Sequence, residues 1–208
     1  MKVSRNLVFV AIILLAMISG FIAGQLLFET ESSAPEVKIR AIVPESPRKL
    51  ALPALQRDSG SLDMASLDGK WSLIFFGFMN CPDVCPATLN TVAQAKKQFE
   101  QAGAEFPQVV FISIDPYRDN VKDLGEYVRY FDESFIGATG EEKLLTAITV
   151  QTDSTFMTVP SENPQEYKVG HSANLILINP SLELVAVLSA PHSVESVINA
   201  LEYFQQDP

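Results

Sequence analysis

The sequence contains few of the residues that form disulfide cross-links or structural metal sites in small folds: only two cysteines and two histidines occur among 208 residues. Two cysteines form one disulfide at most, which excludes a disulfide-framed miniprotein. A zinc ribbon needs four Cys or His ligands clustered in the sequence. The Cys and His residues of this chain are scattered, which excludes a zinc ribbon. Basic residues are also scarce: 15 Lys and Arg stand against 25 Asp and Glu, a formal charge of −10. This balance argues against a nucleic-acid partner.

One long apolar segment, Leu7 to Phe28, contains no charged residue. At about 1.5 Å per residue, a helix of this length reaches roughly 33 Å, enough to cross the hydrocarbon core of a bilayer. A cleaved signal peptide is the alternative, but its apolar run is usually shorter, about 7 to 15 residues, and ends at a small-x-small cleavage site. We therefore expect residues 1–28 to form an uncleaved membrane anchor.

The charges around this segment predict its orientation. Lys2 and Arg5 precede it, whereas Glu29 and Glu31 follow it, so the positive-inside rule places the N-terminus in the cytoplasm. The sequence lacks an Arg-rich, Ser-rich organelle presequence before the apolar run. We therefore expect a single-pass protein of a bacterial inner membrane whose C-terminal part lies in the periplasm.

Composition then divides the rest of the chain into a linker and a folded domain. Residues 29–49 mix Pro, Ser and charged residues without sustained periodicity, which is typical of a tether. Residues 50–208 carry the apolar periodicity of one domain. They open with a predicted hairpin, residues 50–56 and 61–67, around the turn Asp58–Gly60, with Pro53 favouring an edge strand.

Strands and helices alternate after this hairpin. The patterns predict strands at 71–78, 109–114, 173–178 and 184–188, and helices after Cys85, around Leu124–Phe131, at 141–150 and at 194–204. The order predicts an α/β fold, a mixed sheet with helices on both faces, as in a thioredoxin-like sandwich.

Both cysteines, Cys81 and Cys85, lie where a predicted buried strand meets a helix. Free N–H groups at a helix N-terminus favour thiolate, the form that binds metals and attacks disulfides, so both functions are open. Residues four apart share a helix face and can hold one ion, whereas a Cys-x-x-Cys redox pair is three apart. A rigid thiolate pair favours Cu(I), and an added imidazole ligand also allows Cu(II).

Two simpler interpretations of the cysteines remain. Cys is often a small buried apolar residue. A structural disulfide is also geometrically allowed, since Cα atoms at this spacing lie about 6 Å apart. A loop this short contributes little closure entropy, so such a bridge would act in redox chemistry rather than as a staple.

Several motifs stand out over roughly residues 50 to 205: Gly69–Trp71, Phe75–Phe78, Cys81–Pro86, Ser113–Pro116 with Arg118–Asp119, Phe135–Gly140, and His171–Ser172. Together, and in this order, they resemble the Sco/SenC family of membrane-anchored copper proteins. The resemblance implies a thioredoxin-like domain that binds one copper ion through two thiolates and an imidazole. It further implies that Cys81, Cys85 and His171 are the ligands, and that the protein helps to mature the binuclear copper site of a cytochrome c oxidase.

The chain departs from this family pattern at two places. Gly170 stands where the family usually has Asp before the ligand histidine, so a carboxylate that could tune the imidazole is missing. Met79 and Asn80 replace the Thr-His that commonly precedes the first cysteine. A thioether at Met79 is either an auxiliary Cu(I) ligand or, more commonly for Met, a packing side chain.

The other candidate residues have ordinary alternatives. A histidine such as His171, in a predicted loop before a strand, is more often solvated than a ligand. His192 suits a surface or helix-capping position. Asp115 and Asp119 flank a strand end on the side where such sheets bind ligands, but turn and cap formation explains them as well.

Together with this resemblance, the anchor and the cysteine pair lead us to expect a membrane-anchored copper-binding protein that delivers Cu(I) or Cu(II) to the copper-receiving subunit of cytochrome c oxidase, or assists assembly of its copper site. A periplasmic copper donor would load it. The alternative is an enzyme, a thiol–disulfide oxidoreductase with Cys81 and Cys85 as its catalytic pair, which a periplasmic thiol reductant would regenerate and which keeps the oxidase cysteines reduced.

Overall fold

Two apolar runs form the centre of the sheet because their residues need cover on both faces. In the computed structural model, which describes residues 14–20, 40–160 and 167–206, these runs are β5 (Ser72–Gly77) and β6 (Gln108–Ser113). The two strands are parallel, with Phe75 opposite Phe111. Helix α2 (Val84–Gln101) connects them.

Among the described residues, the main sheet has seven strands: β5, β6, β1 (Ala41–Ile42), β2 (Arg48–Lys49), β7 (Ile136–Ala138), β10 (Leu175–Ile178) and β11 (Glu183–Leu188). Their order is β1-β11-β10-β5-β6-β7, with β2 pairing onto β11. Strand β7 is parallel to β6, whereas β10 and β11 are antiparallel to their neighbours. Two separate hairpins are β3 (Leu55–Arg57) with β4 (Gly60–Leu62), and β8 (Phe156–Val159) with β9 (Lys168–His171).

Helices cover both faces of this sheet. The other helices are α1 (Met64–Leu67), α3 (Val121–Arg129), α4 (Glu142–Gln151) and α5 (Val194–Gln205). One face, with Phe75 and Phe111, packs against α2, α3 and α5. The opposite face, with Ile74 and Ile112, packs against α4 and the β3–β4 hairpin. The predicted mixed α/β sheet flanked by helices is confirmed, and the layers are consistent with a thioredoxin-like order.

The segments before β5 differ in part from the expectation. The hairpin around Asp58–Gly60 forms, but residues 64–67, predicted as the end of its second strand, are helical. The reason is local: Asp63 accepts a hydrogen bond from the Ser66 backbone N–H, and Ser66 Oγ accepts one in return from the Asp63 N–H. This reciprocal cap starts a helical turn. Strands β1 and β2 lie within residues 29–49, the segment predicted as a tether.

The chain divides into two compact units, Met1–Glu36 and Val37–Pro208. In the first unit, residues 14–20 are helical, and the rest of the predicted anchor, 1–28, lies outside the described residues. Within the described ranges, no helix combines the length and the apolar character needed to cross a bilayer.

The last helix offers a test of local stability. Ser193 Oγ accepts a hydrogen bond of 3.1 Å from the Ser196 N–H, and Ser196 Oγ accepts one of 2.9 Å from the Ser193 N–H. We expect Ser193→Ala to lower the free energy of unfolding by about 1 kcal/mol, because it removes an N-cap acceptor. Urea unfolding followed by the fluorescence of the single tryptophan, Trp71, measures this change. Ser181→Ala in the exposed β10–β11 turn is the control, and equal midpoints for both variants would contradict the capping role.

Candidate metal centre

The two cysteines occupy the loop between β5 and α2 and the first turn of that helix. Cys81 is half-buried and Cys85 is fully buried. The Cys81 N–H donates to the Phe78 carbonyl at 3.2 Å, which closes a turn before the helix. The Cys85 N–H points at the Cys81 sulfur, 3.4 Å away. The helix N-terminus therefore presents a donor to Cys81, as the sequence predicted.

Gly77, the last residue of β5, leaves room for the Cys85 side chain. A Cβ atom at this position would lie 2.8 Å from Cys85 Sγ and 2.5 Å from a ring carbon of Phe111. Real Cβ contacts are longer than this, so the absence of a side chain lets the helix approach the strand.

His171 lies at the end of strand β9, so its predicted position in a loop is wrong. The β8–β9 hairpin pairs His171 with Phe156 and stands outside the main sheet. The imidazole packs against the rings of Phe75 and Phe78, at centroid distances of 6.2 and 5.7 Å. Strand pairing holds the backbone of His171, and the aromatic contacts hold its ring.

The structure brings all three predicted ligands together. Cys81 Sγ, Cys85 Sγ and a ring nitrogen of His171 lie within 4.8 Å of one another, and His171 Nε2 is 3.4 Å from Cys85 Sγ. His171 Nδ1 lies 3.0 Å from the Ser172 carbonyl. A carbonyl only accepts hydrogen bonds, so Nδ1 carries the proton and the Nε2 lone pair faces the sulfurs.

Burial determines the charge of these groups. It raises the pKa of the Cys85 thiol above its ordinary range and lowers the pKa of the His171 imidazole. Both shifts favour the neutral form, because a charge loses hydration in the interior. At Cys85, burial therefore outweighs the helix N-terminus that was expected to favour the thiolate. Neutral imidazole is the form that binds metals. Two sulfurs and one nitrogen at this spacing suit a soft or borderline metal ion.

The remaining candidates lie outside this trio. Met79 is half-buried and packs against the core face that contains Phe75. His192 Nε2 donates to the Ala173 carbonyl at 2.8 Å. Gly170 lies opposite Met157 in the hairpin, and a Cβ there would meet Met157 at an ordinary 3.5 Å. Successive strand residues face opposite sides, so a side chain at position 170 would project away from His171.

Asp115 and Asp119 are both buried at the carboxyl end of β6. Asp119 Oδ2 accepts from the Met79 N–H at 2.9 Å and from Ser113 Oγ at 2.6 Å. Burial raises the pKa of Asp119. Among the described residues, its second oxygen, Oδ1, has no hydrogen-bond partner. These bonds make Asp119 a structural acceptor in a turn, the simpler of the two interpretations of its sequence position.

Tyr167 was missed from the sequence. Its hydroxyl donates to Asp115, and its backbone carbonyl accepts from Arg118 Nη1 at 3.1 Å. The Arg118 guanidinium carbon lies 4.0 Å from the centroid of the Tyr167 ring, a cation–π contact. Tyr167 is 52 residues from Asp115, and no local pattern marks a partner at that separation.

Comparison with known protein families matches residues 54–206 to SCO1/SenC. A Stutzerimonas stutzeri protein, proposed in its name to bind copper, is 32% identical over 158 residues, which cover 74% of this chain and 77% of that protein. The human mitochondrial SCO2 homolog is 36% identical over 117 residues, 56% of this chain and 44% of the human protein. The chain thus spans less than half of that relative.

A solved structure shares both fold and sequence. The crystal structure of Arabidopsis thaliana ScoI with copper bound is 32% identical to this chain. It aligns with a TM-score of 0.67 over 78% of this chain and 98% of the other. The residues that match the family, 54–206, include both cysteines and His171.

Proposed function

Because this chain belongs to the SCO1/SenC family, we propose that it binds one copper ion and delivers it to the copper-receiving subunit of a cytochrome c oxidase. Cys81, Cys85 and His171 would hold the ion. The observation that carries the proposal is that their three donor atoms converge within 4.8 Å. The Arabidopsis relative with copper bound supports the choice of metal.

The donor set suits both oxidation states of copper. Two thiolates satisfy the softer Cu(I), whereas Cu(II) gains from a nitrogen ligand. His171 Nε2 supplies that nitrogen, and the bond from Nδ1 to the Ser172 carbonyl keeps the ring oriented. Thiols must lose their protons to bind, so copper binding releases protons.

Unequal exposure of the two cysteines supports delivery by ligand exchange. Cys81 is half-buried, whereas Cys85 is completely enclosed. An incoming ligand of the acceptor reaches the copper cargo from the Cys81 side, and Cys85 is expected to release it last. The site therefore retains its cargo until the acceptor has bound it.

Anaerobic titration of the reduced full chain with Cu(I), after its thiols have been counted, tests this proposal. We expect one copper ion per chain, and Cu(II) is expected to give thiolate-to-copper charge-transfer absorbance. A chain with two free thiols that binds no copper would exclude the proposal.

The histidine substitutions give a sharper prediction. We expect His171→Ala to weaken Cu(II) binding by tenfold or more and to spare Cu(I), because two thiolates already satisfy the softer ion. His192→Ala is the matched control, since its ring donates to the Ala173 carbonyl. Competition titrations with both ions measure the affinities. Equal loss of Cu(I) and Cu(II) in His171→Ala would contradict this order.

The cellular setting is a further part of the proposal. Residues 1–28 would anchor the protein in the inner membrane with a cytoplasmic N-terminus. Residues 29–49 would form the extracytoplasmic linker, the end of which pairs onto the main sheet through β1 and β2. Residues 50–208 would work in the periplasm. The charge-free run Leu7–Phe28 and the basic residues before it support this orientation. A periplasmic donor would then supply the copper.

The cysteine pair also supports a second function, thiol–disulfide exchange. The half-buried Cys81, the less enclosed of the two thiols, would attack a disulfide of the oxidase subunit, and the enclosed Cys85 would then resolve the mixed disulfide. The target disulfide gains two electrons and two protons, and a Cys81–Cys85 disulfide forms that a periplasmic reductant must reduce. A mixed disulfide trapped by Cys85→Ala would favour this role.

A further inference from the structure

One short turn, Asp115–Asp119, contacts both halves of the proposed metal site. It lies between β6 and α3, and its Asp119 N–H donates to the Asp115 carbonyl at 3.0 Å. Asp119 of this turn contacts the cysteine loop, and Arg118 contacts the chain that enters the His171 strand. Cys85 and His171 are 86 residues apart, so the relative position of the cysteine pair and the histidine depends on tertiary contacts.

Asp119, the last residue of this turn, holds the loop that leads into Cys81. Asp119 Oδ2 accepts from the backbone N–H of Met79, two residues before Cys81, and from Ser113 Oγ, which anchors it to the end of β6. The Asp119 side chain is almost completely buried, so water does not compete for these bonds. The carboxylate therefore fixes the peptide that leads into Cys81.

Arg118 and Asp115, in the same turn, hold the hairpin that carries His171. Arg118 is paired with the buried Asp115, donates to the Tyr167 carbonyl at 3.1 Å, and stacks on the Tyr167 ring. The Tyr167 hydroxyl also donates to Asp115. Tyr167 directly precedes β9, the strand that ends at His171. These contacts tie the entry of that strand to the same turn.

We infer that the Asp115–Asp119 turn is a positioning brace, which sets the distance between the cysteine pair and His171 through Asp119 on one side and Arg118 on the other. The inference rests on the proposed function for its copper readout. Neither Asp119 nor Arg118 is a metal ligand; each acts through the backbone of another segment.

The hydrogen bonds of Asp119 give a test that separates position from charge. Both bonds reach the same oxygen, Oδ2, and Oδ1 has no partner among the described residues. Asp119→Asn can therefore keep both bonds with its amide oxygen, whereas Asp119→Ala loses them. We expect Asp119→Ala to weaken Cu(I) and Cu(II) binding by about tenfold or more, as for other lost supporting bonds. Asp119→Asn should bind like the wild type.

Substitution of Arg118 is expected to affect the two copper ions differently. Arg118→Ala frees the histidine strand but leaves the cysteine loop held, so Cu(II) affinity should fall by about tenfold and Cu(I) affinity should change little. Lys122→Ala, which removes an exposed cation from the adjacent helix α3, is the matched control. The full chain is titrated with each ion.

Two outcomes would contradict the inferred positioning role of the turn. One is an Asp119→Asn chain that loses as much affinity as Asp119→Ala, which would mean that charge rather than position matters. The other is an Arg118→Ala chain that binds Cu(II) like Lys122→Ala. Should Asp119→Ala fail to fold, Ser113→Ala removes one of the two bonds to Asp119 Oδ2 and should give a smaller loss of both affinities.

A metal-free measurement separates this inference from the proposed function. In the apo chain, the Met79 amide should exchange with solvent faster in Asp119→Ala than in Asp119→Asn, because its acceptor is gone. If the wild type fails to bind copper, the proposed function is excluded, but the positioning role of the turn is not. If the Met79 amide exchanges equally fast in both variants, the positioning role is excluded, but the proposed function is not.

Discussion

Replacing Cys85 with alanine is expected to abolish stoichiometric copper binding. The fully buried sulfur is one of three converging donor atoms, and the chain has no third cysteine to replace it. A single thiolate with one imidazole is a poor site for Cu(I), since the soft ion depends on sulfur ligands. Cys81→Ala should have the same effect. Copper per chain after desalting, with charge-transfer absorbance for Cu(II), measures the loss.

Val84→Ala is the matched control for both cysteine variants. Val84 lies in the first turn of α2, between the two cysteines, and its side chain is exposed. Shortening it changes the same segment without removing a donor atom, so full copper binding is expected. A Cys85→Ala chain that keeps one copper per chain would show that the ligands lie elsewhere.

The second large effect is expected from Gly77→Ala. The new Cβ would lie 2.5 Å from the Phe111 ring and 2.8 Å from Cys85 Sγ, closer than real Cβ contacts. Overpacking of this kind destabilises proteins by about 1–3 kcal/mol. Because one of the two crowded atoms is a donor sulfur, copper affinity should fall together with stability. Urea unfolding and copper competition on the same preparation measure both.

Gly170→Ala is the natural comparison for Gly77→Ala. Gly170 adjoins His171, the third proposed ligand, yet its added Cβ would meet Met157 at an ordinary 3.5 Å. We expect this chain to fold and bind copper like the wild type. A Gly77→Ala chain that is as stable and binds as tightly as Gly170→Ala would contradict the crowded packing between β5 and α2.

The cysteine half of the site was predictable because its parts are consecutive in the sequence. A buried strand, two prolines and an amphipathic helix place Cys81 and Cys85 at a strand–helix junction by local rules alone. The central strands and long helices were predictable for the same reason, since each has a clear apolar period. Their convergence with His171 was expected from a family resemblance and not from the spacing of residues.

The rest depended on tertiary contacts that leave little local signal. Strands β8 and β9 have four residues each and pair only with one another among the described residues, so their pattern resembled a loop. The helical turn Met64–Leu67 is too short to show a helical period. Tyr167 reaches Asp115 and Arg118 across long stretches of chain, and such partners become visible only once the sheet is assembled.

The long chain separation between the cysteines and His171 has a consequence for biogenesis. Both sulfurs belong to one contiguous segment, whereas the nitrogen arrives only when a hairpin 86 residues away from Cys85 has docked. Closing so large a loop is slow compared with forming a local turn. A newly synthesised chain should thus bind cuprous ion before it can retain cupric ion, so that retention of cupric ion reports that the hairpin has docked.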